Sequence, residues 1–264
     1  MSDSGDKIYT GFAYYYDDFM DDIPYDDWAE KIIGILKSEG INDGIVCELG
    51  CGTGEMTGRL SDAGYDMIGI DISEDMLALA RDKMYESGRE GILYLLQDMR
   101  NLELFGTVKA FVSVCDSMNY IVSDEDMLDI LKKVNNYLDP GGLFIFDLKS
   151  DYFYRTEYGD NEFTEEDEDG NIFLSWKNHY DEERKINKYH IEIDEPDEDG
   201  EMIKTVEEHV QRAYVPDEIH DLIDKAGMEF VGIKDSDTMK APGDECKRYY
   251  IIAREKTQKN KLYI

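Results

Sequence analysis

Two rhythms of apolar and polar residues run along this chain. From Tyr25 to Lys37 the period is helical, with Trp28, Ile32, Ile35 and Leu36 on one face and Asp26, Asp27 and Glu30 favouring the N-terminal end. Gly40 ends that helix. Ile45–Leu49 is short and apolar and predicts a buried strand. A short helix over Thr57–Ala63 follows, closed by Gly64, and then a strand over Met67–Ile70 that ends in Asp71. Ser73 is placed to cap a helix running through Met76, Leu77, Leu79, Ala80 and Met84. Ile92–Leu96 predicts a third strand, leading into Gln97-Asp98-Met99, and Ala110–Val114 a fourth. A helix from Asp124 through Leu138 meets an abrupt turn at Asp139-Pro140-Gly141-Gly142, and Leu143–Asp147 is a fifth strand. Nearly all-apolar strands alternating with helices predict a doubly wound, mostly parallel α/β sheet covered on both faces.

After Leu148 the rhythm changes. Residues 151–214 are polar and acidic and tend to alternate, with strands predicted at 172–177, 188–193 and 202–214. Asp169-Gly170 and Asp199-Gly200 are natural turns. This is the pattern of an antiparallel β subdomain inserted into the α/β domain. The acidic runs Glu165–Asp169 and Asp194–Asp199 read as solvated hairpin tips, because they lack the fixed spacing of a calcium loop. Pro216 then opens a helix bearing Ile219, Leu222 and Ile223, which Gly227 stops. Met228–Ile233 and Arg248–Ala253 are a last pair of strands, and the tail from Arg254 is basic and expected to fray. The expected organisation is therefore an α/β domain formed by 1–150 and 215–264, with 151–214 as the insert.

Composition narrows the class. Of 264 residues 42% are hydrophobic, enough for one large core. No apolar run is long enough to span a bilayer. Met1–Asp6 lacks both a basic and an apolar stretch, so no signal peptide is expected and a cytoplasmic location with reduced thiols fits Cys47, Cys51, Cys115 and Cys246. Cys47 and Cys51 have no answering Cys or His pair, so no metal is expected. The net charge is -33 and the isoelectric point near 4.3. Such a surface repels phosphate backbones and anionic lipid, which counts against nucleic acid and fits a small neutral or cationic partner better.

The candidate chemistry lies at the strand ends. Gly50, Gly52 and Gly54 follow a strand and precede a helix, in the pattern E-x-G-x-G-x-G beginning at Glu48. A dinucleotide loop would need Gly where Glu55 stands, and a P-loop would need a Gly-Lys-Ser or Gly-Lys-Thr that is absent. Asp71 ends the second strand, where a carboxylate can accept from both hydroxyls of a ribose, although it also suits the start of the Ser73 helix. Asp98 and Met99 end the third strand, and Cys115, Asp116 and Ser117 the fourth. In a parallel sheet all these ends line one crevice.

With these residues in view, the chain resembles the class I S-adenosylmethionine-dependent methyltransferases. The resemblance covers roughly residues 8–254 and rests on Glu48–Gly54, Gly69–Leu77, Gln97–Met99, Asp139–Gly142, and His209–Arg212 with Tyr214. More narrowly the chain resembles small bacterial enzymes with an inserted antiparallel sheet, a group that includes amino-sugar N-methyltransferases. The resemblance implies a seven-stranded Rossmann-like sheet whose last strand is antiparallel, and S-adenosylmethionine as cofactor. It implies that Gly50, Gly52 and Gly54 approach the methionine part, that Asp71 holds the ribose, and that Asp98 and Met99 hold the adenine. Asp116 is then near the methionine amine, and Glu48, Cys51, Ile72, Met76 and Cys115 complete the cofactor set. Phe12–Asp17 looks like the N-terminal lid of this group, whose tyrosine faces the sulfonium.

The cofactor's methyl group is already activated, so the protein has mainly to position the nucleophile and exclude water, and a general base is dispensable for a neutral amine. The catalytic candidates are Tyr14 and Tyr16 on the lid, His179 and Trp176 on the insert, and Arg212 and Tyr214 where the insert rejoins the domain. His190, His209 and His220 read as ordinary surface or packing residues. The leading expectation is methyl transfer to the N or O of a small molecule by a monomer or homodimer. The alternatives are a methyltransferase acting on transfer RNA or protein, and a non-catalytic module that binds the cofactor.

Overall fold

The computed structural model describes residues 12–19, 23–167, 170–197 and 200–257. A turn of 3-10 helix at Phe12–Tyr15 leads into α1 (Tyr16–Phe19). The α/β alternation follows as α2 (Tyr25–Ser38), β1 (Ile45–Leu49), α3 (Glu55–Asp62), β2 (Asp66–Asp71), α4 (Glu74–Glu86), β3 (Leu93–Leu96), β4 (Val108–Ser113), α5 (Asp124–Tyr137) and β5 (Leu138–Lys149). Then come α6 (Asp151–Phe153), β6 (Glu162–Glu166), β7 (Phe173–Asp181), β8 (Ile186–Pro196), β9 (Met202–Arg212), α7 (Pro216–Lys225), β10 (Met228–Asp235) and β11 (Arg248–Glu255). The expected turns at Asp169 and Asp199, the Met1–Asp6 segment and the tail beyond residue 257 lie outside the described residues, whereas Arg254 and Glu255, expected to begin the frayed tail, are the last two residues of β11.

The main sheet has seven strands in the order β10-β11-β5-β4-β1-β2-β3. β1 to β5 pair in parallel, while β11 runs antiparallel to both of its neighbours. α5 and α7 cover one face over Phe111, Phe144 and Phe146. α2, α3 and α4 cover the other over Val112 and Ile145. Each such side chain removed from water contributes about 1.5–3 kcal/mol. Ser73 caps α4 as its spacing predicts, its hydroxyl accepting from Met76 N at 3.2 Å.

β6, β7, β8 and β9 form a separate antiparallel sheet in that order. Three of its strands follow from sequence alternation. β6 does not, because among its exposed polar residues only Phe163 packs, stacked on Trp176. Two other expectations need correction. The Asp139–Gly142 turn lies within β5, since Leu138 already pairs with Val108 before the register shifts and Leu143 pairs with Ala110. Residues 151–158, to which the sequence assigns no element within the β insert, are helical: α6 continues into a π turn at Tyr154–Tyr158, and the buried Tyr154 hydroxyl donates to Gln211 Oε1 at 2.7 Å.

A buried ionic cluster ties the two sheets together. Asp116, just past β4, receives Lys149 of β5 at 3.0 Å, Arg248 of β11 at 2.8 Å and the Gln211 amide of β9 at 3.0 Å. Arg248 also pairs with Asp147 and lies over the Trp28 ring. Burial alone would raise the Asp116 carboxyl, but Lys149 and Arg248 outweigh it and hold the group well below the ordinary carboxylate range. Removing one partner strands a charge in a dry site. Arg248→Met is therefore expected to cost about 3–5 kcal/mol, read from urea unfolding midpoints, with Arg248→Lys costing less.

Candidate active site

A cavity of about 720 Å³ opens at the C-terminal ends of β1, β2, β3 and β4. That volume lies in the range of about 300–1,000 Å³ usual for small-molecule sites. The β1–α3 loop forms one wall. Gly50 N and Cys51 N donate to Ile70 O at 2.8 and 3.0 Å, which folds the loop over β2. Asp71 locks it, accepting from Gly52 N at 2.8 Å and from Ser73 N at 2.9 Å. Gly50 has φ +70°, and a Cβ there would lie 2.5 Å from Ser117 Oγ. Gly52 has φ +51°, and a Cβ there would meet nothing nearer than Met76 Sδ at 4.0 Å. At Gly52 the main chain therefore faces open space bare, whereas at Gly50 the close approach of Ser117 leaves no room for a side chain. This cradle, with an acidic strand end beside it, fits a nucleoside-bearing cofactor. Gly54 is not part of the cavity wall; the Tyr94 hydroxyl sits 2.5 Å from where its Cβ would be.

Glu48, Cys51, Ile72, Met76, Asp98, Met99 and Cys115 border the same cavity. Glu48 is buried beneath the loop, where it accepts from the Thr57 hydroxyl. Burial pushes its carboxyl up to about 8, with Asp71 adding and Thr57 opposing. Asp98 is engaged by its own turn, accepting from Arg100 N at 2.8 Å and pairing with the Arg100 guanidinium at 2.6 Å. Asp116 is not in the wall; its carboxylate is taken up by the ionic cluster.

The N-terminal segment crosses the opening. Phe12 and Tyr16 pack with Met76 of α4 and with Leu174 and Ile193 of the smaller sheet. Asp17 accepts from the Thr53 hydroxyl at 2.7 Å and pairs with Lys83 at 2.5 Å. Tyr16 lines the cavity, and its hydroxyl lies 3.5 Å from Cys115 Sγ. Burial, and secondarily Asp116, pushes that thiol up to about 11, so Cys115 is a neutral wall. Tyr14 points to solvent, 61% exposed.

The remaining catalytic candidates are not brought to the cavity. His179 is exposed on β7 and paired with Asp160 at 2.8 Å. Arg212 pairs with Asp124 at 2.7 Å and covers the Tyr214 ring, and the Tyr214 hydroxyl donates to Ile121 O at 2.5 Å inside the core. Trp176 is occupied by Phe163. Sequence reasoning missed Tyr25, Thr53, Tyr120, Asp126, Glu207 and Glu208, all in the wall. Of the histidines expected to be surface or packing residues, His209 is a buried one, 1% exposed between Tyr120 and Glu207. The missed signal was the run Glu207-Glu208-His209, whose alternation puts Glu207, His209 and Gln211 on one face.

A family model described as a methyltransferase domain matches residues 46–142. The protein named "Putative methyltransferase YqeM" of Bacillus subtilis (strain 168) is 32% identical over 261 residues, covering 97% of this chain and 99% of that one. A crystal structure of an S-adenosylmethionine-dependent methyltransferase from Clostridium acetobutylicum ATCC 824 superposes with a TM-score of 0.81 at 26% identity, over 94% of this chain and 99% of the other. The dTDP-3-amino-3,4,6-trideoxy-alpha-D-glucopyranose N,N-dimethyltransferase of Streptomyces venezuelae is 26% identical over 118 residues, 44% of this chain and 47% of its own. The chain belongs to the class I S-adenosylmethionine-dependent methyltransferases, and S-adenosylmethionine is its cofactor. Among the described residues no helix is long and apolar enough to cross a membrane.

The raised Glu48 carboxyl has a pH signature. Its protonated form is favoured in the folded state, so its contribution to stability is complete below the ordinary value of 4.5 and is lost as pH rises through about 8. Glu48→Gln is expected to lose less melting temperature than wild type between pH 5 and pH 9. Calorimetric scans of both proteins at one ionic strength check this, and parallel curves would contradict it.

Proposed function

We propose that this methyltransferase acts on a small amine, held in the same cavity as the cofactor and beneath β9. The observation that carries this reading is the set of carboxylates Asp126, Glu207 and Glu208 in the cavity wall, mixed with the apolar Val206, Val210 and Ile121. Such a wall attracts a cation and packs on its carbon skeleton. It repels a phosphate backbone, as does the net charge of -33. The aminosugar acceptor in the name of the Streptomyces venezuelae relative belongs to the same chemical class. We further assign the parts of the chain as the sequence suggests, with 1–150 and 215–264 on the cofactor side and 151–214 on the acceptor side.

In this reading the backbone at Gly50–Gly52 meets the methionine part, Asp71 accepts from the ribose, and Ile72, Asp98 and Met99 border the adenine. When bound, S-adenosylmethionine supplies a methyl group activated by a sulfonium. Tyr16 and Tyr25 present aromatic faces and hydroxyls beside Cys115, an environment that suits a cation without offering it a competing nucleophile. The lid excludes water through Phe12 and Tyr16, and the carboxylates orient the amine.

Titration calorimetry with S-adenosylmethionine and S-adenosylhomocysteine is expected to give micromolar binding. Asp71→Ala should weaken it by about 1–3 kcal/mol, the loss of charge-assisted hydrogen bonds. Undiminished affinity in the folded variant would remove Asp71 from the site. Transfer of labelled methyl groups to a panel of small amines, phenols and carboxylic acids should favour the amines. Preference for the phenols or acids, or transfer only to RNA or protein, would overturn the amine assignment.

A further inference from the structure

β9 is the last strand of the smaller sheet, and among the described residues no strand pairs with its outer edge. Its pairing with β8 runs in unbroken register from Ile186 with Arg212 to Pro196 with Met202. In an antiparallel pair the main-chain groups of successive residues point alternately to the partner and away from it. Both ends of β9 fix which residues do which. Asp197 N donates to Glu201 O and Ala213 N to Lys185 O, each at 2.9 Å, so the odd-numbered residues face β8. Asn119, between β4 and α5, donates to Arg212 O at 2.7 Å, so the even-numbered residues turn away from β8 towards the main sheet. Val206, Glu208 and Val210 are the even-numbered residues of β9 that line the cavity.

Their N–H and C=O groups are thus presented along one side of the cavity, with alternate residues about 6.8 Å apart. No proline or bulge interrupts this edge. Such a row is a template on which another extended chain can pair, and edge strands are usually blunted for that reason. Main-chain groups kept in a cavity cost free energy unless water or a ligand takes them up. The side chains agree with an occupant at this edge. Val206 and Val210 are 49% and 39% exposed, apolar surface that a ligand can cover. Asp126, also in the wall, accepts from the Ser123 hydroxyl at 2.8 Å and pairs with no Lys or Arg among the described residues. Its charge is left to complement a cation.

We propose that the outer edge of β9 determines specificity and that the acceptor is a short peptide with a free terminal amine, lying along β9 as an added strand. This rests on the amine reading above and names its substrate class. The peptide's amides donate to the carbonyls of Val206, Glu208 and Val210, and its carbonyls accept from their N–H groups. A peptide meets that row in step because its own groups repeat at strand spacing, whereas a sugar ring carries hydroxyls with no such repeat. Asp126 attracts the terminal amine as a cation. The ordinary pKa of such an amine is about 8, so its neutral, reactive form is plentiful near that pH, where a lysine-type amine stays protonated. The neutral amine gains the methyl carbon as that carbon's bond to sulfur breaks. The electron pair of the broken bond stays on sulfur, and the proton released by nitrogen goes to water.

Substrate analogues test this without disturbing the fold. With full-length protein and methyl-labelled S-adenosylmethionine, tri-alanine amide should give a kcat/KM about ten-fold or more above that of alanine amide, the effect of a few added hydrogen bonds. Calorimetric binding of the two amides to the complex with S-adenosylhomocysteine should follow the same order. Depsipeptides with either internal amide of tri-alanine amide replaced by an ester lack one N–H each, and at least one of them should lose most of the advantage. On the protein side, Val206→Pro and Val210→Pro each remove an outward N–H and leave the ladder with β8 untouched. Each should bring tri-alanine amide down towards alanine amide, while affinity for S-adenosylhomocysteine stays within about two-fold, less than the loss of one good hydrogen bond. Equal kcat/KM for the two amides, or for the amide and both esters, would overturn the peptide assignment, and methylation of other amines in the panel would then leave the amine reading standing. If no amine is methylated at all, the amine reading falls and the peptide assignment falls with it.

Discussion

Most of the site depends on one buried carboxylate. Cys115 and Asp116 are consecutive non-glycine residues in the left-handed region, at φ 60° and 57°. Each costs about 1–3 kcal/mol and persists only where its surroundings dictate it. Asp147 supplies that demand, accepting from Cys115 N at 3.1 Å and from Asp116 N at 2.8 Å. Two successive amides aimed at one anion make a small backbone nest, filled here by a side chain of the protein itself. Arg248 neutralises the anion, and Asp116 engages Arg248 and Lys149 in turn. The sharp bend that results turns the chain out of β4, with Cys115 in the cavity wall and Tyr120 at its edge.

The smaller sheet is joined to this arrangement by polar contacts more than by a shared apolar core. Gln211 reaches Asp116, and the hydroxyls of Tyr154 and Tyr189 converge on Gln211. Asn119 bonds to the backbone of both β5 and β9. Directional bonds of this kind fix the position of one sheet on another more tightly than apolar contact does, because each group left unpaired would pay its full desolvation cost. The β9 side of the cavity is thereby held in register with the Gly50–Gly52 loop.

Much of this was legible in the sequence. The parallel strands announce themselves as apolar runs, because both faces of the sheet are covered. The loop at Gly50–Gly54 and the acids at Asp71 and Asp98 sit at strand ends, where local pattern and site coincide. What escaped reading is non-local. Nothing in the neighbourhood of Asp116 says that Lys149, Gln211 and Arg248 will converge on it, so a plausible ligand for an amine turned out to be a structural anion. The alternation of β9 is inverted, burying Glu207, His209 and Gln211 while Val206 and Val210 stay partly exposed at the cavity wall, so local pattern does not show which of its faces is buried. Tyr214 and Arg212 looked functional because they adjoin a motif, yet one fills the core and the other covers it. β6 was invisible because its anchor, Phe163, is a single aromatic among polar residues, and the 151–158 turn because its aromatics Phe153, Tyr154 and Tyr158 pack on one another without a regular helical or strand period.

The position of β11 bears on how the chain reaches this state. β11 is last in sequence but interior in the sheet, lying between β10 and β5. It carries Arg248, whose partners Asp147 and Asp116 are 101 and 132 residues earlier. Until that strand inserts, Lys149 is the cation the bend after β4 has for the two acids Asp116 and Asp147, and the second acid is better served by water than by a closed interior. The cavity is thus among the last parts to form, after a search over long loops that is intrinsically slow. The Gly50–Gly54 loop is thus laid down in sequence long before β11, whose Arg248 completes the ion cluster beside it.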